Sequence, residues 1–99
     1  MDFTTKKLVT IVAESALEKR LVQELNSAGI KGYTVSTVHG AGVRGQRVGD
    51  LQGGNVKIEC VVGEDRVDAI FGFLKADFFP HYACVAWVND VGVIRGENF

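Results

Sequence analysis

Hydrophobic and polar positions alternate along this chain in blocks that switch period. KLVTIVAE, Lys7 to Glu14, is rich in β-branched residues and predicts a strand. SALEKRLVQELNSAGI follows, with Ala16, Leu17, Leu21, Val22, Leu25 and Ala28 at helical spacing. Ser15 with Glu18 three residues on predicts a capping box at its start, and Gly29 a C-cap at its end. In GYTVSTVHG, Tyr33, Val35 and Thr37 alternate with Thr34, Ser36 and Val38, which predicts a second strand. NVKIECVVG predicts a third, with Val56, Ile58, Cys60 and Val62 on one face and Lys57, Glu59 and Val61 on the other. EDRVDAIFGFLKADF predicts a second helix. Its apolar face is Val67, Ile70, Phe71 and Leu74, and its acidic first turn, Glu64 and Asp65, suits the helix dipole. Pro80 closes that region. CVAWVNDVGVIRG, Cys84 to Gly96, predicts a fourth strand with a break near Asn89–Asp90.

Strand, helix, strand, strand, helix, strand is the ferredoxin-like double βαβ order, an α+β class. The expected product is one domain over 1–99. Two helices cover one face of such a sheet. The apolar fourth strand with Trp87 implies that another subunit covers the other.

Composition narrows the function classes. The net charge is −1, from 11 Lys+Arg and 12 Asp+Glu, so no global field favours nucleic acid or an anionic membrane. No apolar run reaches the roughly 20 residues that span a bilayer. Residues 1–10 lack the h-region of a signal peptide, and a cytoplasmic location is expected. Cys60 and Cys84 lie inside apolar strand runs, where reduced core residues are expected rather than a disulfide.

The interruption is HGAGVRGQRVGDLQGG, His39 to Gly54, which holds six of the twelve glycines. Gly40 and Gly42 let backbone N–H groups approach a ligand, and successive amides make an anion-binding concavity. Arg44 and Arg47 add bidentate donors for phosphate. The alternative is a solvated glycine-rich hairpin, because neither a Walker sequence nor G-x-G-x-x-G is present. DFFPHYACVAW, Asp77 to Trp87, is either core or a flat slot for an adenine ring. His39, His81 and the cysteines lack the paired spacing of a zinc site, so a divalent metal would have to bind across chains. No nucleophile comes with a base and an orienting acid, so no enzyme is expected.

Several segments resemble the PII signalling superfamily: GI-x-G-x-TV at Gly29–Val35, G-x-G at Gly40–Gly42, VKIE at Val56–Glu59 and VIRGE at Val93–Glu97. The resemblance implies a ferredoxin-like homotrimer that binds adenine nucleotides in clefts between subunits. It implies a T-loop at about residues 40–54 that reports nucleotide state to a partner. No tyrosine lies between His39 and Asn55, and ADFFPHYACVAWV stands where the glycine- and lysine-rich B-loop is expected. This is similar to the subgroup associated with bicarbonate transporters and carboxysomes. The implied ligands are AMP or ADP in preference to ATP, with cyclic AMP and bicarbonate as further candidates. The implied partner is a bicarbonate transporter or another carbon-uptake protein, with recruitment to it from the cytoplasm.

The resemblance also implies roles for individual residues. Thr34 matches a threonine near the adenine, and Gly40 and Gly42 the backbone beside ribose and phosphate. Arg44 and Arg47 match phosphate-facing arginines, and Glu59 and Val61 the strand bordering the cleft. Arg95 matches an arginine of the adjacent subunit. Tyr82 and Ala83 belong to the short B-loop segment, Phe79 to Ala83, which closes over the base. Within the loop, His39 to Arg47 is the expected ligand-binding base and Val48 to Gly54 the expected mobile tip. Metal binding by a related trimeric ferredoxin-like fold is the alternative reading, and a slow nucleotide hydrolase a third.

Overall fold

The computed structural model describes residues 2–40 and 54–95. Four strands form one antiparallel sheet: β1 (Thr4–Glu14), β2 (Thr34–Val38), β3 (Asn55–Val62) and β4 (Cys84–Val93). Their spatial order is β2-β3-β1-β4. Helix α1 (Glu18–Ser27) connects β1 to β2, and α2 (Glu64–Phe73) connects β3 to β4. The sequence order and the sheet order together are the ferredoxin-like arrangement the periodicity predicted.

Residues paired across antiparallel strands share a face, so the register assigns every side chain a side. Val9, Ile11 and Ala13 of β1 lie beside Cys60, Ile58 and Val56 of β3. These six are buried against Leu17, Leu21, Leu25, Ile70, Leu74 and Phe78. That is the core; it uses the alternation of β3 as expected, and of the expected α1 stripe Leu17, Leu21 and Leu25 are buried whereas Ala16 is exposed.

Helix α1 ends as Gly29 predicts. The Gly29 N–H donates to the Asn26 carbonyl at 3.0 Å and the Ile30 N–H to the Leu25 carbonyl at 2.9 Å. This is a Schellman motif, with Gly29 at φ 83° and buried Ile30 completing it. The start of α1 differs from the expectation. Ser15–Leu17 forms a 3-10 turn before Glu18, and neither N-terminus has a side-chain cap. The Ser15 N–H instead donates to the Gly54 carbonyl at 3.1 Å, so the chain entering β3 occupies this junction in place of a capping box.

Two other expectations are corrected. The second strand is shorter than GYTVSTVHG, leaving Tyr33 and His39 outside it. The break at Asn89–Asp90 does not occur: β4 pairs without interruption from Cys84 opposite Ala13 to Val93 opposite Thr4. Asp90 is opposite Lys7, whose Nζ donates to its carboxylate and lies 3.5 Å from Glu64. Those carboxylates raise the Lys7 pKa, the Asp90 hydrogen bond most strongly. A turn-forming dipeptide stays extended because both of its residues pair with β1, Asn89 with Leu8 and Asp90 with Lys7.

Helix α2 passes at Leu74–Phe78 into a π turn, with the Phe79 N–H donating to the Leu74 carbonyl at 2.8 Å. The wider turn buries Phe78, and the short segment 79–83 then returns the chain to β4.

Candidate functional site

The sheet face away from the helices carries the first group of candidates. Register places Trp87, Thr10, Glu59 and Thr34 in one row, one residue from each strand. Thr10 is buried to 2% exposure between its neighbours although no helix covers this side. Glu59 is half-buried, and its carboxylate lies 3.9 Å from Lys57 two residues away on the same face. Val61 stands on that face in the adjacent row, opposite Leu8. Thus Thr34, Glu59 and Val61 are brought together. Around them Val85 and Trp87 remain 53% and 44% exposed.

A second group lies at the end of the sheet where β1, β2 and β3 meet the glycine-rich loop. Gly40 leaves β2 there, Gly54 returns to β3, and Tyr82–Ala83 leads into β4. The Ala83 N–H donates to Glu14 Oε2 at 3.1 Å, and Arg20 Nη1 donates to Tyr82 Oη at 2.9 Å. The Arg20 guanidinium lies over the Phe78 and Tyr82 rings, 5.0 and 5.4 Å from their centroids. Of the aromatic run, Phe78 is core and Phe79 and Tyr82 pack against it, whereas His81 is exposed and Trp87 belongs to the open face. Gly42, Arg44 and Arg47, and the expected tip Val48 to Gly54 except Gly54 itself, lie outside the described residues.

Arg95 is at the opposite end. It follows β4 with φ 73°, and among the described residues it is the non-glycine with a left-handed backbone. That conformation costs an L-residue about 1–2 kcal/mol. Ala83 precedes β4 and Arg95 lies two residues past its end, so the ten residues of β4, more than about 30 Å of strand at 3.4 Å per residue, stand between them. One small ligand cannot touch both within a single chain.

This far end also holds a recess of about 170 Å³ lined by Gly29–Gly32, Val61–Gly63 and Arg66. Arg66 Nη1 donates to the Ala28 carbonyl at 3.1 Å, and a Cβ on Gly29 would come within 3.1 Å of that guanidinium. Sequence reasoning used Gly29 and Gly32 as pattern and left Lys31, Gly63 and Arg66 unassigned. The signal was the glycine spacing, but only the α1–β2 and β3–α2 connections, brought side by side, make a cavity of it.

Cys60 is buried and Cys84 half-buried, both as free thiols. Burial pushes each pKa from 9.0 up to about 11, and for Cys84 the charge of Glu14 adds to that. They behave as the small core residues the sequence suggested. Among the described residues no three of His, Cys, Asp and Glu gather as a metal centre.

The family model of nitrogen regulatory protein P-II matches residues 6–98. The chain belongs to the P-II family. A PII-like signalling protein of Thermus thermophilus is similar over 99% of this chain and 98% of its own, at 46% identity and a TM-score of 0.83. CPII of Thiomonas intermedia, a nitrogen regulatory PII-like protein solved with ADP, AMP and bicarbonate, is 26% identical. The match covers 95% of this chain and 98% of CPII, at a TM-score of 0.81. The B. subtilis GlnK–ATP complex is more distant in shape, with 26% identity, 88% and 82% coverage and a TM-score of 0.67. No curated protein sequence matched the chain. P-II membership agrees with the ferredoxin-like sheet and with the resemblance carried by the GI-x-G-x-TV and VKIE segments.

Proposed function

We propose that this P-II protein is a non-enzymatic homotrimeric sensor of adenine nucleotides that signals through a T-loop at about residues 40–54. The observation that carries the reading is the separation of its candidate residues. Arg95 and Ala83 are separated by the whole of β4, more than about 30 Å of strand, so in this reading a ligand that meets both does so from two subunits. The open face, with Val85 and Trp87 exposed, supplies an apolar surface for that association.

In this reading Thr34, Glu59 and Val61 border the base, Gly40 and Gly42 approach ribose and phosphate, and Arg44 and Arg47 hold phosphate. Tyr82 and Ala83 close over the base, and Arg95 enters from the neighbouring subunit. AMP and ADP are favoured over ATP, because ADFFPHYACVAWV supplies no lysine beyond Lys75 near the expected B-loop position. CPII, solved with ADP, AMP and bicarbonate, supports the same nucleotide class here and makes bicarbonate a second candidate effector. Ligand contacts at the loop's base shift its population between conformers, and the loop then engages a partner. A bicarbonate transporter or carboxysome component is the proposed partner, met from the cytoplasm.

Isothermal titration with AMP, ADP, ATP and cyclic AMP, with and without bicarbonate, tests this. AMP and ADP are expected to bind tighter than ATP at one site per subunit. Absence of heat with every nucleotide overturns the reading.

A further inference from the structure

The segment between the π turn and β4, residues 79–83, carries more long-range restraint than so short a connection requires. Its own backbone supplies hydrogen bonds from the His81 and Tyr82 N–H groups to the Phe78 carbonyl, both 3.0 Å. To these are added bonds with residues 62 and 69 positions away in sequence: Arg20 donates to Tyr82 Oη, and Glu14 accepts from the Ala83 N–H. The Arg20 guanidinium also stacks on the Phe78 and Tyr82 rings. All these anchors come from one place, the junction of β1 and α1. The same junction receives the far end of the loop, through the Ser15 N–H and the Gly54 carbonyl.

We infer that Glu14 and Arg20 are positioning residues that hold the 79–83 wall of the nucleotide site in its binding geometry before ligand arrives. The inference rests on the reading of that wall given above. The Arg20–Tyr82 contact is exposed and adds little to folding stability, and the Glu14–Ala83 bond is only partly buried, so stability alone is a weak reason for this arrangement. Their effect is on the ordering cost of binding: a segment already fixed loses less freedom when a ligand docks. Because the Gly54 carbonyl is held at the same junction, the wall and the return of the loop keep a fixed relation.

The test is isothermal titration of ADP into the full-length protein and into Arg20→Ala, Glu14→Ala, Arg20→Lys and Tyr82→Phe. Amide hydrogen exchange at Ala83 is followed in parallel. Arg20→Ala and Glu14→Ala are expected to raise the ADP dissociation constant roughly threefold to tenfold, as one or two released side chains would. The loss should appear as a less favourable binding entropy, with faster exchange at Ala83 in Glu14→Ala and little change in melting temperature in Arg20→Ala. Tyr82→Phe, which keeps the stacked ring, should lose less than Arg20→Ala. Should Arg20→Ala fail to fold, Arg20→Lys and Tyr82→Phe decide the matter by the same readouts. If the unaltered protein binds ADP and these variants bind it within twofold, the inference is overturned and the nucleotide reading stands. If the unaltered protein binds neither ADP nor AMP, the nucleotide reading falls and takes the inference with it.

Discussion

The two faces of the sheet are built from similar strand residues and packed in opposite ways. On the helix side Val9, Ile11, Ile58 and Cys60 are almost wholly buried, closed over by Leu21, Leu25 and Ile70. On the other side Val12 and Val61 are half-buried and Val85 and Trp87 largely exposed. The first face holds the chain together; the second is surface of the kind that association uses. Both edges of the candidate site, Thr34–Glu59 and the 79–83 segment, border that second face or its end.

The sharpest way to break this division is on the covered side. Ile58→Ala leaves a cavity under both helices and should cost about 2–5 kcal/mol in chemical denaturation. If it costs no more than a surface change, the core has been misplaced. On the open side Trp87→Asp should leave the folded subunit within about 1 kcal/mol. It should also shift the proposed trimer to monomer in sedimentation. An unchanged sedimentation coefficient would show that this face is not the interface.

Arg44→Ala and Arg47→Ala should each weaken ADP binding by about 1.5–3 kcal/mol, the size of a lost charged hydrogen bond. Unaltered ADP affinity would remove the loop's base from the site. Arg95→Gly separates folding from binding. It relieves a left-handed backbone that costs about 1–2 kcal/mol, so thermal stability should hold or rise while ADP binding weakens. A parallel loss of both would make Arg95 a structural residue only.

The smallest effect is one of pH. Cys60 titrates near 9.0 when exposed and at about 11 when folded, so its neutral form favours the folded state. That stabilisation is complete below about pH 9 and is lost as pH rises from 9.0 to about 11. Cys60→Ala should flatten the fall in denaturation midpoint over this window. An unchanged slope would place the thiol in water rather than in the core.

Much of this was legible from local signals. The period of NVKIECVV assigned the two faces of β3 correctly, and Gly29 marked a helix end that needs a positive φ. The capping box was misread because Ser15 answers to Gly54, a residue brought near only by the third strand. The break at Asn89–Asp90 was misread because pairing with β1, whose Lys7 lies 83 positions before Asp90, keeps the dipeptide in the sheet. Residues Glu14 and Arg20 carried no signal at all: in sequence they are a strand end and an exposed helix position. Their partners lie 69 and 62 residues away.

By itself the sequence determined the elements, their order and the apolar stripe of each, because periodicity and terminal residues act within a few positions. It also determined the family, through segments spread along nearly the whole chain. Only the tertiary structure decided that Trp87, Thr10, Glu59 and Thr34 form one row. It alone put the 79–83 segment against the β1–α1 junction. Those relations depend on strand register and on pairs distant in sequence, which no local pattern encodes.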